Sequence, residues 1–229
     1  MIKLGLPSKG RLQEQCFDWF AARGVTLRRT GSEREYSAEV EGIPGIALVL
    51  LSAGEIPREL AAGRIHLGVT GSDLVREKLP RWRVQVEELA QLGFGRADLI
   101  IAVPASWVDV DTLDDLDAAA SAFRAAQGHR LRIATKYHRL VREFLKAEGT
   151  ADYALVDSQG ATEGTIRNET AEAVADITST GATLEANHLK ILQGSLIHSS
   201  EAVLFRSQMA EMTPEDEQVL AALRGKLGV

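Results

Sequence analysis

Ile2-Lys3-Leu4-Gly5-Leu6-Pro7-Ser8-Lys9-Gly10-Arg11 begins with a short apolar run and passes through a proline into a glycine-hinged turn. The run reads as a strand, and the turn opens a helix from about Leu12 to Arg23. Leu12, Cys16, Phe17 and Phe20 cluster on one side of that helix and Gly24 stops it. The same strand, turn, helix rhythm recurs downstream. Ile46 to Leu51 is nearly all apolar, as a strand buried on both faces must be. It is followed by a helix around Pro57–Ala62, the strand Ile65–Val69 and a helix begun by Ser72. Leu99–Val103, Arg132–Thr135 and Tyr153–Val156 read as further strands, Arg139–Ala147 and Glu169–Ala175 as helices, and Leu189–Leu192 and Ala202–Phe205 as late strands. Thr112 with Asp115 three residues on caps a helix that reaches about Gln127, where Gly128 stops it; Thr213-Pro214-Glu215-Asp216 starts the last one. Alternating strands and helices predict an α/β fold with mixed, mostly parallel sheets. There are more such units than one small sheet needs, which favours two lobes with a cleft between them.

The 229 residues carry 26 basic and 32 acidic side chains, a formal charge of −6 that argues against a nucleic-acid surface. Cations converging on one site can still serve polyanionic substrates. The single cysteine, Cys16, allows no intrachain disulfide and reads as a core residue. No secretory signal precedes Pro7 and Lys9, and the longest apolar run, Ile46 to Leu51, is far short of a membrane span. The expected compartment is the cytoplasm, with no membrane partner. Five histidines without ligand spacing, no cysteine cluster and no G-x-S-x-G elbow leave no protein-held metal site and no hydrolytic triad expected.

Chemistry concentrates in five stretches. Asp176-Ile177-Thr178-Ser179-Thr180-Gly181-Ala182-Thr183-Leu184 puts a carboxylate ahead of hydroxyls, a glycine and a helix start. Glycine lets a backbone approach an anion, helix-start amides point at it, and the carboxylate can accept from two sugar hydroxyls. By spacing alone the stretch is either such a phosphate cradle or a hydroxyl-rich helix cap. Lys9 and Arg11 flank a helix start whose dipole they oppose, which points to a polyanion between them or to two solvated surface cations. Gly5 and Gly10 have a phosphate-loop spacing, but Arg11-Leu12 stands where Lys-Ser/Thr is needed. Gly68-Val69-Thr70-Gly71-Ser72-Asp73 ends a strand at a helix start, and ligands of open α/β sheets lie beyond such ends. His66 inside that strand reads as structural. Arg132-Ile133-Ala134-Thr135-Lys136-Tyr137 delivers Lys136 to a strand end, and Gly160-Ala161-Thr162-Glu163-Gly164 presents a carboxylate on a turn.

Taken together, in this order, these stretches resemble the ATP phosphoribosyltransferase family, over nearly the whole chain. The most specific match is Asp176 to Asn187, which looks like the family's phosphoribosyl-pyrophosphate loop; Arg132–Tyr137, Leu92-Gly93-Phe94-Gly95 and Gly68–Asp73 support it. The chain ends soon after Phe205, which resembles the short form, paired in the family with a regulatory subunit like a histidyl-tRNA synthetase. The resemblance implies that N1 of the ATP adenine attacks C1 of phosphoribosyl pyrophosphate and that pyrophosphate leaves with Mg²⁺. It implies a type II periplasmic-binding-protein-like fold, with residues 1–93 and 190–229 in one lobe and 94–189 in the other, in a homodimer within a hetero-oligomer.

The family pattern carries roles to individual residues. Asp176, Thr178, Ser179, Thr180, Gly181, Ala182 and Thr183 would hold the phosphoribosyl group. Lys9 and Arg11, with Arg34, would be the catalytic cations, and Gly71, Lys136 and Glu163 would contact ATP or the sugar. An inactive nucleotide-binding homologue and an anion-trapping solute-binding protein are the competing readings. Here Ser8 stands between Pro7 and Lys9, Leu51-Ser52-Ala53 replaces a stretch that often carries arginine, Thr165-Ile166 replaces the usual Ala-Pro, and His66 replaces a common aspartate.

Overall fold

The computed structural model describes residues 1–29, 37–158 and 162–229. They form two compact units, Met1–Gly95 with Glu201–Val229, and Arg96–Ser200. The first unit begins β1 (Ile2–Pro7), α1 (Arg11–Ala21), β2 (Thr26–Arg29), β3 (Ser37–Glu41), β4 (Ile46–Leu51), α2 (Ile56–Ala61), β5 (Leu67–Gly71), α3 (Ser72–Lys78), α4 (Trp82–Gln85) and β6 (Val86–Gln91). The chain then builds the second unit from β7 (Ala97–Pro104), α5 (Leu113–Gln127), β8 (Leu131–Thr135), α6 (His138–Ala147), β9 (Tyr153–Asp157), α7 (Gly164–Arg167), β10 (Ala173–Thr178), α8 (Ala182–Ala186), β11 (Leu189–Ile191) and β12 (His198–Ser200). It returns to the first for β13 (Ala202–Ser207) and α9 (Pro214–Leu227).

Both sheets are mixed. The first runs β2-β3-β4-β1-β5-β13-β6, parallel through β4-β1-β5 and antiparallel at both margins. Ile2, Leu4 and Leu6 alternate on β1 and are fully buried, on the face that α1 and α9 cover with Cys16, Phe20, Leu220 and Leu223. On the other face Ile56 and Leu60 of α2 and Val75 of α3 pack with Phe205 of β13. Gly68 is required there, because a Cβ would meet Ile56 Cγ2 at 2.7 Å.

The second sheet runs β11-β7-β10-β8-β9, with β12 also on β7; only β10-β8-β9 is parallel. Val174 of β10 packs with Ile100, Ala134 and Leu184 in one core cluster. Because β11 and β12 pair with β7, residues 190–200 lie with the second unit, and the chain re-enters the first at Glu201 rather than at 190.

A second correction concerns Glu169–Ala175, expected as a helix. The helix is the single turn α7, and Ala173–Thr178 is the strand β10. The alanines favour helix locally, but Ala173, Val174 and Ala175 are fully buried between β7 and β8, and a sheet interior takes small side chains wherever packing demands them. β2, β3, β6 and β12 carry no strong alternation and are not legible beforehand.

Candidate functional site

β8, β9 and β10 run parallel, with Thr135 opposite both Ala175 and Asp157. Their carboxyl ends therefore present Lys136, the Asp157–Ser158 turn and Asp176 side by side, beyond the strand ends where open α/β sheets bind ligands. A pocket of about 280 Å³ opens there, lined by Ala97, Glu163, Asp176, Thr178, Ser179, Thr180 and Thr183 together with Ile177, Val174 and Leu184.

The loop from β10 to α8 is held by its own side chains. Thr178 Oγ1 accepts from the Gly181 amide at 2.9 Å, and Thr180 Oγ1 from the Ala182 amide at 3.4 Å. Ser179 Oγ donates to the Arg96 carbonyl at 3.0 Å, which ties the loop to the start of β7. Gly181 sits at φ 79°, ψ −13°, a left-handed conformation that other residues enter only with strain, and nothing lies within 4 Å of where its Cβ would be. Among the described residues the amides of Thr183 and Leu184, in the first turn of α8, have no acceptor, as helix-start amides have none within the helix. Leu184 is buried in the core cluster and anchors the turn. The Asp176 carboxylate accepts from the Ile177 amide at 2.8 Å and is only partly buried.

Glu163 reaches the same pocket from another loop. Ser158 Oγ donates to Thr162 Oγ1 at 2.8 Å, both buried, which fixes Thr162 just ahead of Glu163. Sequence reading had no signal for this hydroxyl pair, nor for the Arg96 carbonyl. Lys136 is exposed at the end of β8 and does not line the pocket; Gly181 and Ala182 supply the turn's backbone. Nearby, His138 Nε2 lies 2.7 Å from Asp157 Oδ1, a contact unforeseen because strand ends pair across the sheet rather than along the chain.

The remaining expected residues belong to the first unit. Lys9 is exposed on the loop after β1 and Arg11 at the first position of α1, and Gly71 ends the neighbouring parallel strand β5. Gly10 between the two cations has φ 77°, ψ −178°, a region open essentially to glycine alone, and its carbonyl accepts from the Gln13 amide to start α1. Thr70 is fully buried and donates to the Ala53 carbonyl at 2.8 Å, fixing the next turn along the same sheet end. Arg34 lies outside the described residues.

Two other sequence readings meet their geometry. Cys16 is fully buried, and burial pushes its thiol up to about 12, which suits a core residue and not a nucleophile. His66 Nδ1 accepts from the Lys3 amide at 3.1 Å while Nε2 lies 3.3 Å from the Glu211 carbonyl, so the neutral Nε2–H tautomer satisfies both. Burial, the largest influence, holds its pKa below the usual value. Among the described residues no cluster of three metal-ligating side chains exists, and no helix is long and apolar enough to cross a membrane.

Residues 52–225 match the family model described as HisG: ATP phosphoribosyltransferase. A Cereibacter sphaeroides protein named ATP phosphoribosyltransferase is 72% identical over 228 residues, covering 100% of this chain and 96% of its own. A Mesorhizobium japonicum protein of the same name is 46% identical over 228 residues, covering 99% and 98%. Among solved structures, the ATP phosphoribosyl transferase (HisG:HisZ) complex from Thermotoga maritima superposes with a TM-score of 0.75 at 21% identity, over 100% of this chain and 96% of that one. A mutant of arginine-bound ArgBP from T. maritima gives 0.52 at 13% identity, over 99% and 94%. The mixed open sheets are thus of the α/β class that includes periplasmic-binding-protein-like folds.

Proposed function

The chain belongs to the ATP phosphoribosyltransferase family, and from that premise we propose that the Asp176–Thr183 loop holds the phosphoribosyl group during transfer. The enzyme moves the phosphoribosyl group of phosphoribosyl pyrophosphate to N1 of the ATP adenine and releases pyrophosphate, the first step of histidine biosynthesis. The observation that carries the site is the pocket itself: two carboxylates, four hydroxyls and a glycine-hinged turn gathered at the carboxyl ends of parallel strands. The 5-phosphate meets the amides of Thr183 and Leu184 and the hydroxyls of Thr180 and Thr183, where backbone donors already face an anion's place. Asp176 accepts from the ribose hydroxyls.

N1 of adenine brings its own lone pair, so no base is needed. The bond from C1 to pyrophosphate breaks as positive charge grows on the ribose ring. The protein's contribution is to position the two substrates and to offset the leaving group's charge. Lys9 and Arg11 neutralise phosphates, and Gly71, Lys136, Glu163 and Arg34 contact ATP or the sugar. Asp176 and Glu163 are the two carboxylates lining the pocket, too few for an all-protein metal cage but enough to share a Mg²⁺ that arrives on substrate phosphates. When bound, that ion supplies charge neutralisation of the departing pyrophosphate.

The T. maritima neighbour was solved as a HisG:HisZ complex, which supports a HisZ-type regulatory subunit here; we place this chain as a homodimer within such a hetero-oligomer, in the cytoplasm. The test is pyrophosphate release from ATP and phosphoribosyl pyrophosphate with Mg²⁺, with and without the regulatory subunit. Release is expected, stronger with the subunit; no pyrophosphate under either condition sinks the reading.

A further inference from the structure

At the other end of the second unit's sheet, a pocket of about 470 Å³ is lined by Arg130, Arg142, Lys146, Thr150 and Tyr153, with Leu155 among its apolar walls. β8 and β9 start there, with Leu131 opposite Tyr153, and end at the phosphoribosyl loop. At about 3.3 Å per residue, five-residue strands set the two places roughly 15 Å apart. We propose that this second pocket is an anion site, separate from the transfer site, that takes a small molecule carrying two or more phosphate groups.

Three observations converge on it. In a chain of net charge −6, three of the nine lining residues are cations and none is acidic. Two carboxylates close by along the chain are engaged elsewhere: Asp152 pairs with Arg124, and Asp117 accepts from the Ala151 amide at 2.8 Å. Arg130 feels the Asp152 charge, yet among the described residues none of the three cations forms an ion pair. Lys146 lies in the last turn of α6, where the helix dipole favours a cation. That accounts for one charge and not for Arg130, which comes from the β8 side. Guanidinium forks match phosphate oxygens in pairs. The half-buried Tyr153, with Ala154 and Leu155, gives the wall an apolar part that a base or other ring can cover.

Inorganic tripolyphosphate is the probe, followed on the full-length protein through backbone amide resonances. The Gly149, Thr150 and Ala151 amides report on this pocket, and the Gly181 amide reports separately on the transfer site. Saturable shifts are expected at Gly149–Ala151, and Arg142→Gln with Lys146→Gln should weaken them by about ten-fold or more while leaving the Gly181 response unchanged. Both substitutions are on exposed side chains, so the fold and the basal transfer rate should stay as they are. No shift at Gly149–Ala151, or shifts that the double variant leaves intact, overturns the proposal. A silent Gly181 amide would instead count against the phosphoribosyl loop.

Discussion

Asp176 is placed by strand register and one backbone amide: β10 carries it past Ala175, which lies opposite Thr135, and Ile177 N donates to it. Asp176→Asn should therefore leave the fold intact and lower kcat/KM by about 10²-fold through poorer ribose positioning; a change under three-fold at full folding would exclude the role. Gly181→Val should abolish phosphoribosyl-pyrophosphate binding, measured by calorimetry. Among the described residues nothing lies within 4 Å of the added Cβ, so the loss comes from the left-handed backbone and from the ligand's own space. Unchanged affinity would refute the cradle. For His66, the folded pKa lies below the unfolded value near 6.5 because burial disfavours the cation. Below about pH 6.5 the unfolded chain gains a proton that the folded one does not, so stability is full above that pH and falls as pH drops through it. Urea unfolding from about pH 7.5 to 5.5 should show this slope, and His66→Gln should flatten it; equal slopes would remove His66 as the cause. Of the residue assignments, the hydroxyl, glycine and carboxylate types were legible in order along the chain, whereas Ser158–Thr162 and His138–Asp157 join side chains that no local pattern connects.

Elements were most legible where a local hydrogen bond writes itself into the sequence. Thr112 with Asp115 and Thr213 with Asp216 both form full capping boxes, and Gly128 and Gly228 end their helices in the left-handed conformation. β10 was misread for the opposite reason. Its alanines have no strand preference of their own, and only burial between β7 and β8 decides it. α8 shows how an element carries function through packing. It is one short turn, held by Leu184 in the cluster with Ile100, Ala102 and Val174. Leu184→Ala should cost about 2–3 kcal/mol of stability and weaken phosphoribosyl-pyrophosphate binding at temperatures where the protein stays folded. A loss of stability with unchanged affinity would mean that the loop is positioned without α8.

On the scale of the whole molecule, the α/β class followed from the alternation of strands and helices, while the course of the chain between the two units did not. The sequence marks Leu189–Leu192 as a strand but not which sheet it joins; pairing with β7 decides that. Binding should also be read at this scale. Phosphoribosyl pyrophosphate at about 100 times its Kd should add about 2.7 kcal/mol to stability, with hydrogen-exchange protection concentrated in β8, β10 and α8. Protection that avoids these elements would place the substrate elsewhere.

β13 lies between β5 and β6 with Phe205 fully buried, yet it follows β6 by the whole length of the second unit. On the ribosome, about 110 residues separate Gln91 from Ala202, roughly 6–20 s of synthesis during which β5 and β6 wait with open edges. Residues 96–200 are contiguous and can fold in that interval. A chain released before residue 201 should thus display one finished unit and one sheet with open edges, a natural target for chaperones.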